Sequence, residues 1–159
     1  MGATRHFDNY EKNRQQQWNK EHKAGGFKCS HCKTWVVIND FMGTINRNHC
    51  NLCLWSRHVD VNKGDRRAEC LGGMRPIGLT FKQEGWGKQG EVMLIHECGG
   101  CSKLSINRIA ADDHNDEIMR VFNDSLAMTK PQQDALGRAG IDLLNLRDYE
   151  ELHTQLFGR

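Results

Sequence analysis

Seven cysteines stand at positions 29, 32, 50, 53, 70, 98 and 101 of a 159-residue chain. Six of them form three C-x-x-C pairs: Cys29-Ser30-His31-Cys32, Cys50-Asn51-Leu52-Cys53 and Cys98-Gly99-Gly100-Cys101. A two-residue gap lets a tight turn aim both sulfurs at one ion, with Zn–S distances of about 2.3 Å. The odd cysteine count and the lack of an apolar leader in residues 1–17 (MGATRHFDNYEKNRQQQ) weigh against a disulfide framework. A redox motif would want one such pair beside a βαβ unit. Three pairs within 73 residues read instead as zinc knuckles.

Four ligands per ion then constrain the arrangement. Cys29/Cys32 and Cys50/Cys53 make C-x2-C-x17-C-x2-C, the spacing of a four-cysteine zinc ribbon. Cys70, Cys98 and Cys101 supply three further sulfurs, and His58, twelve residues before Cys70, is the best fourth ligand. The bland alternative for His58 is a solvated or hydrogen-bonded side chain. His49 and His96 lie one and two residues from Cys50 and Cys98, too close for easy joint ligation. Spacing leaves a second pairing open, with Cys29/Cys32 joined to His58/Cys70 and Cys50/Cys53 joined to Cys98/Cys101. Either way two zinc ions are expected.

Around the second pair the chain reads Arg47-Asn48-His49-Cys50-Asn51, then Leu52 to Asp60, Gly64-Asp65-Arg66 and Cys70. It continues through Met74-Arg75-Pro76-Ile77, Cys98-x-x-Cys101, Asn107-Arg108-Ile109-Ala110 and Asp112-Asp113. These ordered motifs, over roughly residues 26–115, resemble the bacterial RNHCP-domain family, named for that pentapeptide. Asn51 stands where the family has proline. Proline would stiffen the turn by fixing φ, and asparagine also suits turns, so metal binding stays intact. The resemblance implies a zinc-binding bacterial domain and no particular reaction.

The knuckle loops also carry Arg47, Arg57, Lys63, Arg66, Arg67 and Arg75, with Trp35, Trp55 and Trp86 nearby. Guanidinium groups suit phosphate, and indoles stack on unpaired bases. Arg47, Trp55, Arg57, Arg66, Arg67 and Arg75 are therefore the candidate nucleic-acid-binding residues, with RNA or the ribosome as the partner. The bland alternative is a solvated basic face and tryptophans that cover a thin core. A protein-interaction module of cross-brace type is a second possibility. A third is a metal-dependent nuclease of the histidine–asparagine–histidine kind, with His58, Asp60, Asn107 and His114 around a catalytic ion. The order in His58-Val59-Asp60 is the reverse of what such a site needs, and seven cysteines exceed what its scaffold uses.

The elements that must position these residues are modest. Hydrophobic residues make up 38% of the chain and aromatics 8%, with a mean hydropathy of −0.70. So polar a composition speaks against one large apolar core and for metal as a staple. No run nears the ~18 apolar residues of a membrane span. Net charge is +3 over residues 1–28, +4 over 29–110 and −5 over 111–159.

Residues 7–23 suit a polar helix. PIGLTFK (76–82) and EVMLIHE (91–97) read as strands of a hairpin that delivers Cys98 and Cys101, and residues 104–110 as a further strand. Helical spacing places Ile118, Val121, Phe122 and Leu126 on one face, Thr129-Lys130-Pro131 breaks that helix, and residues 143–157 support another. The expected fold is α+β: a small zinc-ribbon-like β module with two zinc sites, flanked by N-terminal and C-terminal helices. The expected divisions are a polar helical arm (1–25), the zinc-binding domain (26–115) and a helical C-terminal tail (116–159). The expected setting is cytoplasmic, with no membrane contact and no small-molecule substrate.

Overall fold

The two apolar runs on either side of the glycine-rich turn build the main sheet. The computed structural model describes residues 20–21, 23, 25–38, 47–58, 70, 72–83 and 89–158. In it β4 (Gly73–Gln83) and β5 (Gln89–Cys98) pair antiparallel from Met74↔Cys98 to Gln83↔Gln89. The register slips between Pro76 and Gly78, where proline has no N–H to give the ladder. β3 (Ser56–Arg57) pairs with the start of β4, and β6 (Leu104–Arg108) with β5, giving the order β3-β4-β5-β6. β1 (Gly26–Lys28) and β2 (Trp35–Val37) form a separate two-stranded sheet.

Three helices follow: α1 (Asn115–Ser125), α2 (Lys130–Arg138) and α3 (Tyr149–Phe157). Leu79 and Leu94 from the sheet pack with Ile118, Val121 and Phe122 of α1, Leu152 of α3 and Leu54 of the second knuckle. Each fully buried side chain of this size contributes about 1.5–3 kcal/mol. The core is thus real but thin, as the composition requires. No described helix is long and apolar enough to cross a membrane.

Several local expectations change. Leu126, expected on the buried stripe, is 41% exposed, because α1 ends at Ser125 and Leu126 is its C-cap. Pro131 breaks nothing inside a helix; it sits in the first turn of α2, where its missing N–H costs nothing. The helix expected over 143–157 starts only at Tyr149. Asn145 and Asp148 form a capping box around a 3-10 turn, Leu146–Asp148, and that turn delays it. The expected arm, residues 1–25, lies almost wholly outside the described residues.

Candidate metal centre

All three C-x-x-C segments adopt one turn. The N–H of Lys33, Leu54 or Ser102 donates to the carbonyl of Cys29, Cys50 or Cys98 at 2.9 Å in every case. The first cysteine's own N–H donates in turn to the carbonyl of Thr34, Trp55 or Lys103. Lys33, Leu54 and Ser102, each the residue after the second cysteine, are left-handed, with φ of 66°, 63° and 63°. Three non-glycine residues in that region are strained unless something fixes the turn. A backbone N–H also donates to the first sulfur of each turn at 3.4 Å: Cys32 to Cys29, Leu52 to Cys50 and Gly100 to Cys98. That is the electrostatic environment of a thiolate.

The turns converge in two clusters. Cys29, Cys32, Cys50 and Cys53 form one, and His58, Cys70, Cys98 and Cys101 the other, with the ligand atoms of each within 4.8 Å of one another. The pairing is therefore sequential, not interleaved. Zn–S bonds of about 2.3 Å place tetrahedral neighbours about 3.8 Å apart. Cys29–Cys53, Cys32–Cys50 and Cys70–Cys98 Sγ atoms stand 3.6 Å apart, and His58 Nδ1 lies 3.3 Å from Cys101 Sγ. His58 reaches its place because its N–H donates to Gly72 O, prolonging the β3–β4 pairing beside Cys70. Gly72 must lack a side chain there: a Cβ would sit 2.9 Å from Cys98 Sγ and 3.3 Å from Cys70 Sγ.

The donor chemistry fits zinc as well as the distances do. Hydrogen bonding from Cys50 and then Cys53 holds the Cys29 thiol far below its ordinary value. The bond with Cys29 pushes Cys50 up to about 11, and the bonds with Cys29 and Cys50 push Cys53 up as well. Burial pushes Cys70 up to about 11. Sulfurs this close share protons unless a cation lets them all ionise together. Zinc bound in each cluster would cross-link segments distant in sequence, with four protein donors filling its coordination as in a structural site. Elemental analysis of purified protein should return two zinc ions per chain; one or none would contradict the geometry.

The profile of the RNHCP domain matches residues 24–119. The chain belongs to the RNHCP-domain family. Neither a curated protein nor a solved structure matches it. The structure shows what the signature residues of this RNHCP domain do besides ligate metal.

Arg47, expected at a surface that meets an anionic partner, instead lies inside the protein. Its side chain is wholly buried. Nη1 donates to Asp112 Oδ1 at 2.7 Å, Nη2 to Asp113 Oδ1 at 2.8 Å and Nε to the His49 carbonyl at 3.0 Å. Asp113 accepts two further bonds through Oδ2, from His49 Nε2 at 2.7 Å and from the Ala110 N–H at 2.8 Å. Beside this cluster His96 Nε2 donates to the Leu54 carbonyl at 2.7 Å. A carbonyl only accepts, so the other ring nitrogen accepts, and Asn107 Nδ2 donates to it at 2.9 Å. Burial pushes His96 down to about 4, so it is neutral.

Arg47, His49, His96, Asn107, Asp112 and Asp113 thus make a polar latch from the second knuckle to β5, β6 and the start of α1. The sequence signal for it was the company that Arg47-Asn48-His49 keeps with Asn107 and Asp112-Asp113. Spacing alone gave no sign that they meet.

The remaining candidates divide. Arg75 is exposed on β4; Arg57 is half-buried on β3. Trp55 is half-buried and stacks on His31, with ring centroids 4.0 Å apart. Arg66 and Arg67 lie outside the described residues, as do Asp60, Lys63 and Trp86. Among the described residues the nuclease constellation is not assembled: His58 joins a metal cluster, Asn107 bonds His96, and His114 is exposed at the start of α1.

Proposed function

We propose that this zinc-binding domain is a non-catalytic module that binds RNA, free or within the translation machinery. The observation that carries it is Trp35, 47% exposed on β2 and paired in register with exposed Lys28. Gly26 leaves no room for a side chain: a Cβ there would lie 2.3 Å from the Val36 carbonyl oxygen and 2.8 Å from the Trp35 indole, which packs against it. One flank of the indole is thereby held and the rest stays open to solvent. A fixed aromatic beside a cation suits stacking on an unpaired base with its phosphate neutralised. The metal cluster behind β1 and β2 keeps that platform rigid, which lowers the ordering cost of binding.

Affinity for a short labelled oligoribonucleotide should fall linearly on a log–log plot against salt, with a slope of about −0.7 per neutralised phosphate. Trp35→Ala should weaken binding about fivefold or more at constant zinc content. Reversing Arg66 and Arg67 to Glu should weaken it strongly without much change in melting temperature. Salt-independent binding, or none at low salt, would defeat the proposal. A protein-interaction module would then lead. It is favoured by Leu146, Tyr149 and Phe157, exposed at 71%, 42% and 42% around the C-terminal helix.

A further inference from the structure

A pocket of about 380 Å³ opens where four separate stretches of chain meet. His31 from the first knuckle and Trp55 after the second form one wall, their rings only 4° from parallel. Arg75 and Pro76 come from β4, and Met128 and Gln132 from the turn into α2 and its first residues. The volume is at the small end of ligand cavities, which run about 300–1,000 Å³.

Its chemistry is selective. The stacked pair gives an aromatic wall, Pro76 and Met128 an apolar lining, and the Gln132 amide both a donor and an acceptor. Arg120 and Asp124 also border the pocket, but they bond each other at 2.7 Å and Arg120 bonds Glu117 as well. Arg75 is the lining cation with no ion pair among the described residues, so it is the one available to an anion. A larger groove of about 700 Å³ beneath the C-terminal helices mixes Lys82 and Arg147 with Asp142 and Asp148 and lacks a ring pair. It selects for nothing in particular.

We infer that this pocket takes one unpaired nucleobase of a bound RNA strand, with Arg75 on the adjoining phosphate. The ring wall would cover the base, and Gln132 would meet its hydrogen-bonding edge. An acidic peptide would satisfy Arg75 but would leave the paired rings without a role. The inference rests on the RNA proposal and adds to it a site separate from Trp35, which does not line the pocket.

Two probes separate the claims: a short oligouridylate, and an abasic ribose-phosphate chain of the same length and charge. Gln132→Trp fills the pocket without replacing a metal-ligating residue, and His31→Ala removes one ring of the stacked pair. Each should weaken oligouridylate binding about tenfold and leave the abasic chain unaffected, at unchanged zinc content. Arg75→Ala should weaken both probes. If the wild type binds oligouridylate and the two pocket variants bind it equally well, the pocket inference is wrong and the RNA proposal stands. If neither probe binds at low salt, both fall. Capture of an acidic peptide, lost in Gln132→Trp, would also overturn it.

Discussion

Replacing Cys50 with serine should unfold the first knuckle pair and leave one zinc ion per chain. The apolar support around that cluster is small: among the described residues Phe27 and Val36 are the large buried side chains packed with Cys29 and Cys50, with Ile38 half-buried against them. At about 1.5–3 kcal/mol each they contribute less than a structural zinc site, worth on the order of 10–16 kcal/mol in small knuckles. The second cluster is mounted differently. Its Cys98 ends β5, and that sheet is held by Leu79, Leu94 and the helices whether or not metal is present. Cys101→Ser should therefore fray residues 99–103 while the sheet persists. Amide exchange with elemental analysis reads both outcomes. Cys50→Ser protein that keeps two ions and full protection from Phe27 to Val36 would sink the account.

Local chemistry made the metal sites legible. A knuckle is a short-range object: two sulfurs, one turn and one left-handed residue, all within six positions. Its ligands could be named from spacing, His58 included, and so could the hairpin that delivers Cys98 and Cys101. Long-range polar contacts left no such trace. Arg47 and Asp112 are separated by 65 positions and His49 and Asp113 by 64, so each reads alone as a surface charge. An arginine in a knuckle loop suggests phosphate until the carboxylates that enclose it are seen. Element ends were lost for a related reason. Leu126 keeps the helical period, but period cannot show where the helix stops; the capping box at Asn145 shifts a start in the same way.

Asp113→Ala should cost about 3–5 kcal/mol, the penalty for breaking a buried ion pair by removing one partner. Three donors lose their acceptor at once: Arg47 Nη2, His49 Nε2 and the Ala110 N–H. None has water to turn to, since Arg47, His49 and Ala110 are all at most 2% exposed. For a chain of this size the loss corresponds to a melting temperature lower by about 6–20 °C, with both zinc ions retained at low temperature. Asp113→Asn keeps the shape and one acceptor oxygen, so its cost should be smaller. Arg47→Met leaves Asp113 with two of its donors and fills the space with apolar atoms, and should also cost less than Asp113→Ala. Adding Arg47→Met to Asp113→Ala removes the stranded guanidinium and should recover part of the loss, a coupling of about 0.5–3 kcal/mol. The same variant decides between a latch and a binding surface. If Arg47 instead met RNA, Arg47→Met would weaken binding and leave the melting temperature where it was. A latch predicts the reverse: a lower melting temperature, and RNA affinity unchanged wherever the protein stays folded.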